Sequence, residues 1–201
     1  MPCYEFQGVR PVVDVATYIH PLASLIGDVI VGPGCYIGPG ASLRADFGRI
    51  IVDRDASIQD NATIHVSTER DTLIKRGATI AHGAVVHGCE IGENCLVGIN
   101  SVVLDAAILG PECLVATMSL VPHGMEAAQR SVLLGVPARI VRILSAEDIS
   151  WRNDGEGDYQ LLTREALTSL RETTPLRQVE PDRNRTRMEA SAVTLARRSP
   201  D

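Results

Sequence analysis

The most regular feature of the chain is an apolar residue at every sixth position. These residues form four series with steps of six: Leu25, Val31, Ile37 and Leu43; Val52, Ile58 and Ile64; Ile74, Ile80 and Val86; and Ile91, Val97, Val103, Leu109 and Val115. A period of six fits neither an amphipathic helix, whose period is 3.6 residues, nor a half-buried strand, whose period is two. It predicts a β-solenoid, in which each hexapeptide is a short strand plus a turn and three hexapeptides make one triangular coil.

Turn residues and longer steps agree with this interpretation. Pairs such as Gly32-Pro33 and Gly110-Pro111 directly follow the inward residues, where the backbone must bend. The repeat spans roughly residues 12 to 118, but Leu43 to Val52 is nine residues and Ile64 to Ile74 is ten. We therefore expect loops of about three and four extra residues at those two corners.

The register of the solenoid groups some polar residues together. With eighteen residues per coil plus the two insertions, Leu43 is followed one coil later by Ile64, and Ile64 by Val86. The residues that come directly after these three are predicted to stack on one edge at the strand spacing of about 4.8 Å: Arg44, His65 and His87.

A third histidine lies elsewhere in the coil. His82 comes two residues after Ile80, in the preceding hexapeptide, so it leaves the solenoid from another face. It would reach the same metal ion only from a neighbouring subunit, and a threefold-symmetric homotrimer would form three such sites. Imidazole suits zinc, and three protein ligands leave an open position for catalysis. The alternative is that these are solvated histidines with no ligand role.

Three segments resemble the γ-class carbonic anhydrase family of hexapeptide-repeat proteins: RADFGRI at 44–50, IQDNATIH at 58–65 and HGAVVH at 82–87. The likeness is strongest to the branch encoded in phenylacetate-degradation and carnitine operons, and it continues through GVPARIVR at 135–142 over nearly the whole chain. The resemblance implies a left-handed parallel β-helix with a C-terminal α-helical segment. It also implies a zinc ion held by His65 and His87 of one subunit and His82 of the next.

The resemblance implies further site residues. Arg44 and Asp46 correspond to an intersubunit ion pair near the metal. Gln59 corresponds to a residue that hydrogen-bonds the zinc-bound hydroxide. Tyr159 corresponds to a C-terminal tyrosine that reaches the site.

Two departures from the archetypal anhydrase bear on the reaction. Phe47 replaces a glutamate, and the loop after His65 is too short for a second acidic proton-shuttle residue. Rapid CO₂ hydration needs such a relay, so we expect a CoA thioesterase linked to phenylacetate degradation, in which zinc hydroxide attacks the acyl carbonyl.

Other functions stay open at the level of the sequence. One alternative is a γ-class carbonic anhydrase that acts on CO₂ and bicarbonate. Another is a hexapeptide acyltransferase that uses a single histidine as base, and a third is a non-catalytic trimeric scaffold with structural zinc. Fe²⁺ or Co²⁺ would suit the same ligands as Zn²⁺.

Composition predicts the remaining organisation. We expect a β-helix domain over residues 1–144 and a helical segment over 145–176 that packs on the solenoid. Its first helix should begin at Ser145, as a capping serine, and a second should run from about Tyr159 to Arg171. The second helix has an apolar stripe that should pack on the solenoid: Leu161, Leu162, Ala166, Leu167 and Leu170. Residues 177–201 carry six arginines and four acids in a chain of net charge −6 and are predicted to be disordered.

Composition also argues against some partners. The arginine-rich tail lacks interleaved aromatic residues, which argues against nucleic-acid binding. No basic region followed by an apolar run opens the sequence, which argues against a membrane protein. The five cysteines form no CxxC pair and suit a reducing compartment. We therefore expect a cytoplasmic protein.

Overall fold

The computed structural model describes residues 3–149, 151 and 157–186, and these residues form a three-sided parallel β-helix followed by an α-helix. The predicted left-handed β-helix with a C-terminal helix is confirmed, with about seven turns. Each coil contributes a strand to each of three faces, because one hexapeptide supplies one strand and one corner.

Face 1 contains β1 (Cys3–Tyr4), β8 (Thr63–His65), β11 (Val85–His87), β14 (Val102–Val103) and β17 (Leu120–Val121). Face 2 contains β2 (Val12–Val13), β9 (Thr72–Ile74), β12 (Glu90–Ile91), β15 (Ile108–Leu109) and β18 (Glu126–Ala127). Face 3 contains β3 (Tyr18–Ile19), β5 (Tyr36–Ile37), β7 (Ser57–Ile58), β10 (Thr79–Ile80), β13 (Leu96–Val97), β16 (Leu114–Val115), β19 (Ser131–Gly135) and β20 (Ala138–Ile143). Two long strands, β4 (Ser24–Val31) and β6 (Ser42–Val52), turn a corner and belong to faces 1 and 2.

The core lies inside the solenoid and follows the six-residue period. Every residue of the four apolar series is 2% exposed or less. The predicted stack is confirmed, because Leu43 pairs with Ile64 and Ile64 pairs with Val86 in parallel register. Small residues fill the narrow corners of the coils. Three of the cysteines lie in one column of such residues, which backbone hydrogen bonds connect from coil to coil: Cys35, Cys95 and Cys113.

The two insertions take different forms. The first is a bulge within β6, since Gly27 pairs with Ala45 while Val29 pairs with Ile50, so residues 46–49 face Asp28 alone. The count of three extra residues is confirmed, but they continue the strand where we expected a loop. The second insertion is the predicted loop, formed by residues 66–71 between β8 and β9.

The prediction of a helix that begins at Ser145 is wrong for the described residues 145–149, because they form a turn. Ser145 and Asp148 do exchange capping hydrogen bonds, but the chain does not continue as a helix. Ile149 and Trp151 instead pack against the solenoid, and Trp151 Nε1 donates to the Asn94 carbonyl at 2.8 Å. These tertiary contacts outweigh the local capping signal.

The second predicted helix is confirmed as α1 (Asp158–Ser169), which packs on β3 and β5. Its buried residues are Gln160, Thr163 and Ala166, while Leu167 and Leu170 of the predicted apolar stripe are exposed. Two hydrogen bonds explain why the polar face of the helix, and not the leucines, packs on the solenoid. Gln160 Nε2 donates to the Asp55 carbonyl at 2.6 Å, and Thr163 Oγ1 donates to the Cys35 carbonyl at 3.4 Å.

The domain limits and the disordered tail stay predictions. Residues 177–186 are exposed, and residues 187–201 lie outside the described part of the chain. Among the described residues, no helix is long and apolar enough to cross a membrane.

Candidate metal centre

Two histidines meet at the corner between faces 1 and 2, which we call the His65 corner. His65 ends β8, His87 ends β11, and the two residues pair in parallel register. Nδ1 of His65 lies 2.9 Å from Nε2 of His87, and the ring centroids are 4.9 Å apart. Arg44 pairs with His65 on the other side, so the predicted stack of Arg44, His65 and His87 is present.

The outer nitrogen of each imidazole contacts a carboxylate. Nε2 of His65 lies 2.8 Å from Asp46 Oδ1, and Nδ1 of His87 lies 2.8 Å from Asp105 Oδ1. Burial alone would raise the pKa of Asp46, but hydrogen bonds from His65 and Arg44 outweigh it and the pKa is lowered. Burial would also raise the pKa of Asp105, but the hydrogen bond from His87 and its charge outweigh burial, and the pKa of Asp105 is lowered as well. Both carboxylates therefore accept, and both outer nitrogens carry hydrogen.

This arrangement leaves lone pairs on the inner nitrogens. In neutral imidazoles protonated at the outer nitrogen, Nδ1 of His65 and Nε2 of His87 are both acceptors. Two facing lone pairs at 2.9 Å repel each other unless a proton or a metal ion lies between them. Nitrogens that share a tetrahedral Zn²⁺, each at about 2.1 Å, lie roughly 3.4 Å apart, so a small opening would accommodate the ion. Metal-binding histidines usually donate their other N–H to a carboxylate, as both do here.

His82 occupies a different corner, between faces 3 and 1, which we call the His82 corner. Its Nδ1 lies 2.6 Å from Asp60 Oδ2, and its side chain is 47% exposed. Residues 84–87 run from this corner to the His65 corner and span about 10 Å at roughly 3.3 Å per residue. Within the described part of one chain, no three His, Cys, Asp or Glu side chains are grouped to hold an ion. The register predicted this separation of His82 from the other two histidines.

Glycine follows both His82 and His87 for a steric reason. Gly83 has φ +68°, and an added Cβ would lie 2.2 Å from Asn100 Oδ1 in the next coil. Gly88 has φ +54°, and an added Cβ would lie 2.3 Å from Asp105 Oδ1. A side chain at Gly88 would therefore displace the carboxylate that contacts His87.

Two further predicted site residues lie at the His82 corner. Gln59 is buried at the end of face 3, directly before Asp60. Tyr159 lies on α1 with its ring centroid 5.3 Å from that of Tyr36. Burial, followed by the negative charge of Asp60, raises the pKa of Tyr159 to about 12, so its hydroxyl stays protonated at neutral pH. The structure thus places Gln59 and Tyr159 near Asp60, the carboxylate that contacts His82, and on a different corner from His65 and His87.

Arg44 and Asp46 contact each other within one chain through Nη1 and Oδ2. Asp46 also contacts His65, so one carboxylate joins the arginine to the imidazole pair. Their predicted intersubunit pairing stays a prediction, as do the metal-binding and catalytic roles of all these residues.

Sequence reasoning missed two of the three carboxylate partners of the histidines. Asp105 lies eighteen residues after His87, one coil along the solenoid. Asp60 lies twenty-two residues before His82, one coil plus the four-residue insertion. A search for acidic residues one coil away from each histidine would have found both.

No protein-family model matches the chain. It is 48% identical over 188 residues to the carnitine operon protein CaiE of Proteus sp. (strain LE138), covering 94% of each protein. It is also 48% identical over 185 residues to CaiE of Escherichia coli (strain K12), covering 92% of this chain and 94% of that protein.

Two solved structures share the fold over most of the chain. A hexapeptide transferase family protein from Anaplasma phagocytophilum has a TM-score of 0.76 and 33% identity, covering 81% of this chain and 96% of that one. A putative acetyltransferase from Bacillus cereus has a TM-score of 0.73 and 26% identity, covering 81% of this chain and 91% of that one.

Proposed function

The chain belongs to the CaiE family of hexapeptide-repeat proteins, and on that premise we propose that it is a trimeric, metal-dependent hydrolase of CoA thioesters. The observation that carries the proposal is the pair of imidazole nitrogens 2.9 Å apart, each backed by a carboxylate. A histidine that served only as a general base would need no second imidazole lone pair beside it. The resemblance to the phenylacetic acid degradation protein PaaY supports CoA thioesters as the substrate class.

The outer surface supports a trimer that completes the site. Val85, Val102 and Leu120 stack along face 1 as a partly exposed apolar strip. At the His82 corner, His82 is followed in the next coil by the exposed Ile99, and Met118 donates its N–H to the Ile99 carbonyl. His82, Ile99 and Met118 thus form a ridge along this corner. Cyclic threefold symmetry would place the ridge of one subunit on the apolar strip of the next, with matching coils side by side. His82 would then join His65 and His87 of its neighbour.

His65, His87 and the neighbour's His82 would hold a divalent cation such as Zn²⁺, Fe²⁺ or Co²⁺. Such an ion supplies a Lewis acid that lowers the pKa of water and polarises a carbonyl. The protein fixes the tautomers of its ligands through Asp46, Asp105 and Asp60.

Two polar groups would act on the reactants. The Gln59 amide would orient the attacking water, and the protonated Tyr159 hydroxyl would donate a hydrogen bond to the developing oxyanion. Water adds to the acyl carbon, the C–S bond breaks, and the products are a carboxylate, free CoA thiol and a proton released to solvent.

Acyl transfer is the second candidate. The 33% identical hexapeptide transferase family protein and the 26% identical putative acetyltransferase favour it. A transferase would pass the acyl group to an amine or hydroxyl acceptor, with one histidine as base, and would need no metal. CO₂ hydration would use the same three ligands, but the exposed Phe47 lies against His65 and, by the family resemblance, replaces the glutamate that would relay protons.

The deciding experiment combines metal analysis with substrate assays on the purified full chain. We expect one divalent metal per chain and hydrolysis of CoA thioesters that chelation abolishes and Zn²⁺, Fe²⁺ or Co²⁺ restores. His87→Ala should lose both metal and hydrolysis, whereas the control His123→Ala, which changes an exposed histidine, should retain both.

Three outcomes would reject the proposal. Acyl transfer that persists in chelator would assign the chain to the transferases. CO₂ hydration without thioester hydrolysis would make it an anhydrase. Tight metal binding with no turnover of either substrate would make it a scaffold.

A further inference from the structure

The bulge in β6 lies beside the two paired histidines and breaks the six-residue period of the solenoid. Residues 46–49 face only Asp28 on the neighbouring strand. The bulge places Asp46 against His65 and, next to it, Phe47 against the same imidazole. Bulges of this kind commonly re-aim side chains beside functional sites.

The bulge is held in position from both sides. Arg49 Nε donates to Asp28 Oδ2 at 2.8 Å, and the backbone N–H of Arg49 donates to Asp71 Oδ1 at 2.8 Å. Asp71 belongs to the second insertion, and it also lies close to Gly48, where an added Cβ would come within 3.0 Å of its Oδ1. The two insertions therefore brace each other, and the position of Phe47 is fixed by named contacts.

Phe47 itself is poorly explained by packing. Its side chain is 59% exposed, whereas Ala45 and Ile50, which flank the bulge in β6, are buried in the core. Its ring meets His65 edge-on, with centroids 5.8 Å apart and an interplanar angle of 63°. The open part of the ring thus lies beside the imidazole whose Nδ1 faces His87.

We propose that Phe47 is the acyl-recognition residue of the site and that it selects CoA thioesters with aromatic or branched apolar acyl groups. The inference rests on the proposed thioester hydrolysis. A thioester carbonyl presented to the inner nitrogens would lie beside His65, and because Phe47 contacts the His65 ring, the acyl group would come within reach of the exposed part of the phenylalanine ring. An aryl group there gains both apolar burial and an aromatic contact, which an acetyl group is too short to make.

The test compares Phe47→Ala and Phe47→Leu with Phe6→Ala, which truncates the other phenylalanine of the chain, at the N-terminal end of the solenoid. The substrates are acetyl-CoA and an arylacetyl-CoA. We expect Phe47→Ala to lower kcat/KM for the arylacetyl thioester about tenfold or more, while the value for acetyl-CoA changes less than about threefold. The kcat/KM of Phe47→Leu for the arylacetyl thioester should lie between those of the wild type and Phe47→Ala, and Phe6→Ala should match the wild type for both substrates.

A binding measurement separates this inference from the reaction. Titration calorimetry with non-hydrolysable thioether analogues should show weaker binding of the arylacetyl analogue, and unchanged binding of the acetyl analogue, to Phe47→Ala. If the wild type hydrolyses no thioester, the proposed function fails, while this binding difference still supports Phe47 as an acyl contact. Equal losses for both acyl groups, no loss for either, or dissociation of the oligomer in Phe47→Ala would each overturn the inference.

Discussion

Asp60 Oδ2 lies 2.6 Å from Nδ1 of His82, a contact that in the neutral imidazole places the N–H on Nδ1 and the lone pair on Nε2. His65 and His87 have the same kind of partner in Asp46 and Asp105. Each of the three histidines therefore contacts its own carboxylate, although the histidines lie at two different corners of the solenoid. This common arrangement supports the proposed role of the three histidines as metal ligands, because such ligands usually have a carboxylate partner.

The carboxylate behind His87 should control metal affinity. Asp105→Asn removes the charge that fixes the tautomer of His87, and loss of such a partner typically weakens metal binding by about 10–100-fold. Competition with a chromophoric chelator would measure the dissociation constant. Asp53→Asn, an exposed change away from both histidine corners, is the matched control. Equal affinities in the two variants would show that Asp105 does not position a ligand.

Gln59 should affect the rate and leave the metal in place. If its amide orients the attacking water, Gln59→Ala should lower kcat by about 10²-fold while the metal content per chain stays that of the wild type. Gln178→Ala, at an exposed position, should change neither quantity. An unchanged rate at full metal occupancy would remove Gln59 from the mechanism.

The solenoid and the register of its histidines were predictable because one spacing sets both. Once the period is six, the pairing of His65 with His87 follows from counting along the chain. The bulge at residues 46–49 was not predictable as a strand, because its shape depends on Asp28 and Asp71 from other coils. The failed helix at Ser145 has the same origin, since the contact from Trp151 to Asn94 is invisible to local capping rules.

The interior stack should dominate the stability of the fold. Ile64 is fully buried between Leu43 and Val86, so Ile64→Ala leaves a cavity that its strand neighbours cannot fill. We expect a loss of about 2–5 kcal/mol in the free energy of unfolding, measured in urea at fixed protein concentration. Ile143→Ala, at a half-exposed position, should cost much less. Similar losses in the two variants would contradict a core centred on the six-residue series.

Thiol labelling should distinguish one cysteine from the other four. Cys3 is exposed, whereas Cys35, Cys89, Cys95 and Cys113 are buried. Burial raises the pKa of Cys35 and Cys89 to about 12, so both remain thiols at pH 8. The hydrogen bond from Cys95 lowers the pKa of Cys113, but its sulfur is enclosed in the core. Native protein should react at one thiol and denatured protein at five, and Cys3→Ser should abolish the native reaction.

The division of the metal site between subunits gives the most stringent test. His65→Ala and His82→Ala should each be inactive as homotrimers, because every site lacks a ligand. When they are co-expressed, each mixed trimer should contain one interface that joins an intact His65 and His87 pair to an intact His82. Random one-to-one assembly should restore about a quarter of the sites, a figure that follows from cyclic threefold symmetry. Metal content per chain and the rate of thioester hydrolysis would both measure this restored fraction of sites.

The matched control pairs two variants damaged on the same side of the interface. His65→Ala and His87→Ala both lack a ligand from the His65 corner, so no interface between them is complete and co-expression should restore nothing. Recovery in this control would mean that the two histidines are contributed by different chains. Verified mixed trimers of His65→Ala and His82→Ala that bind no metal would show that the three histidines do not form one intersubunit site. Because the two co-expressions change the same number of ligands, a difference between them depends only on which corner of the solenoid supplies each histidine.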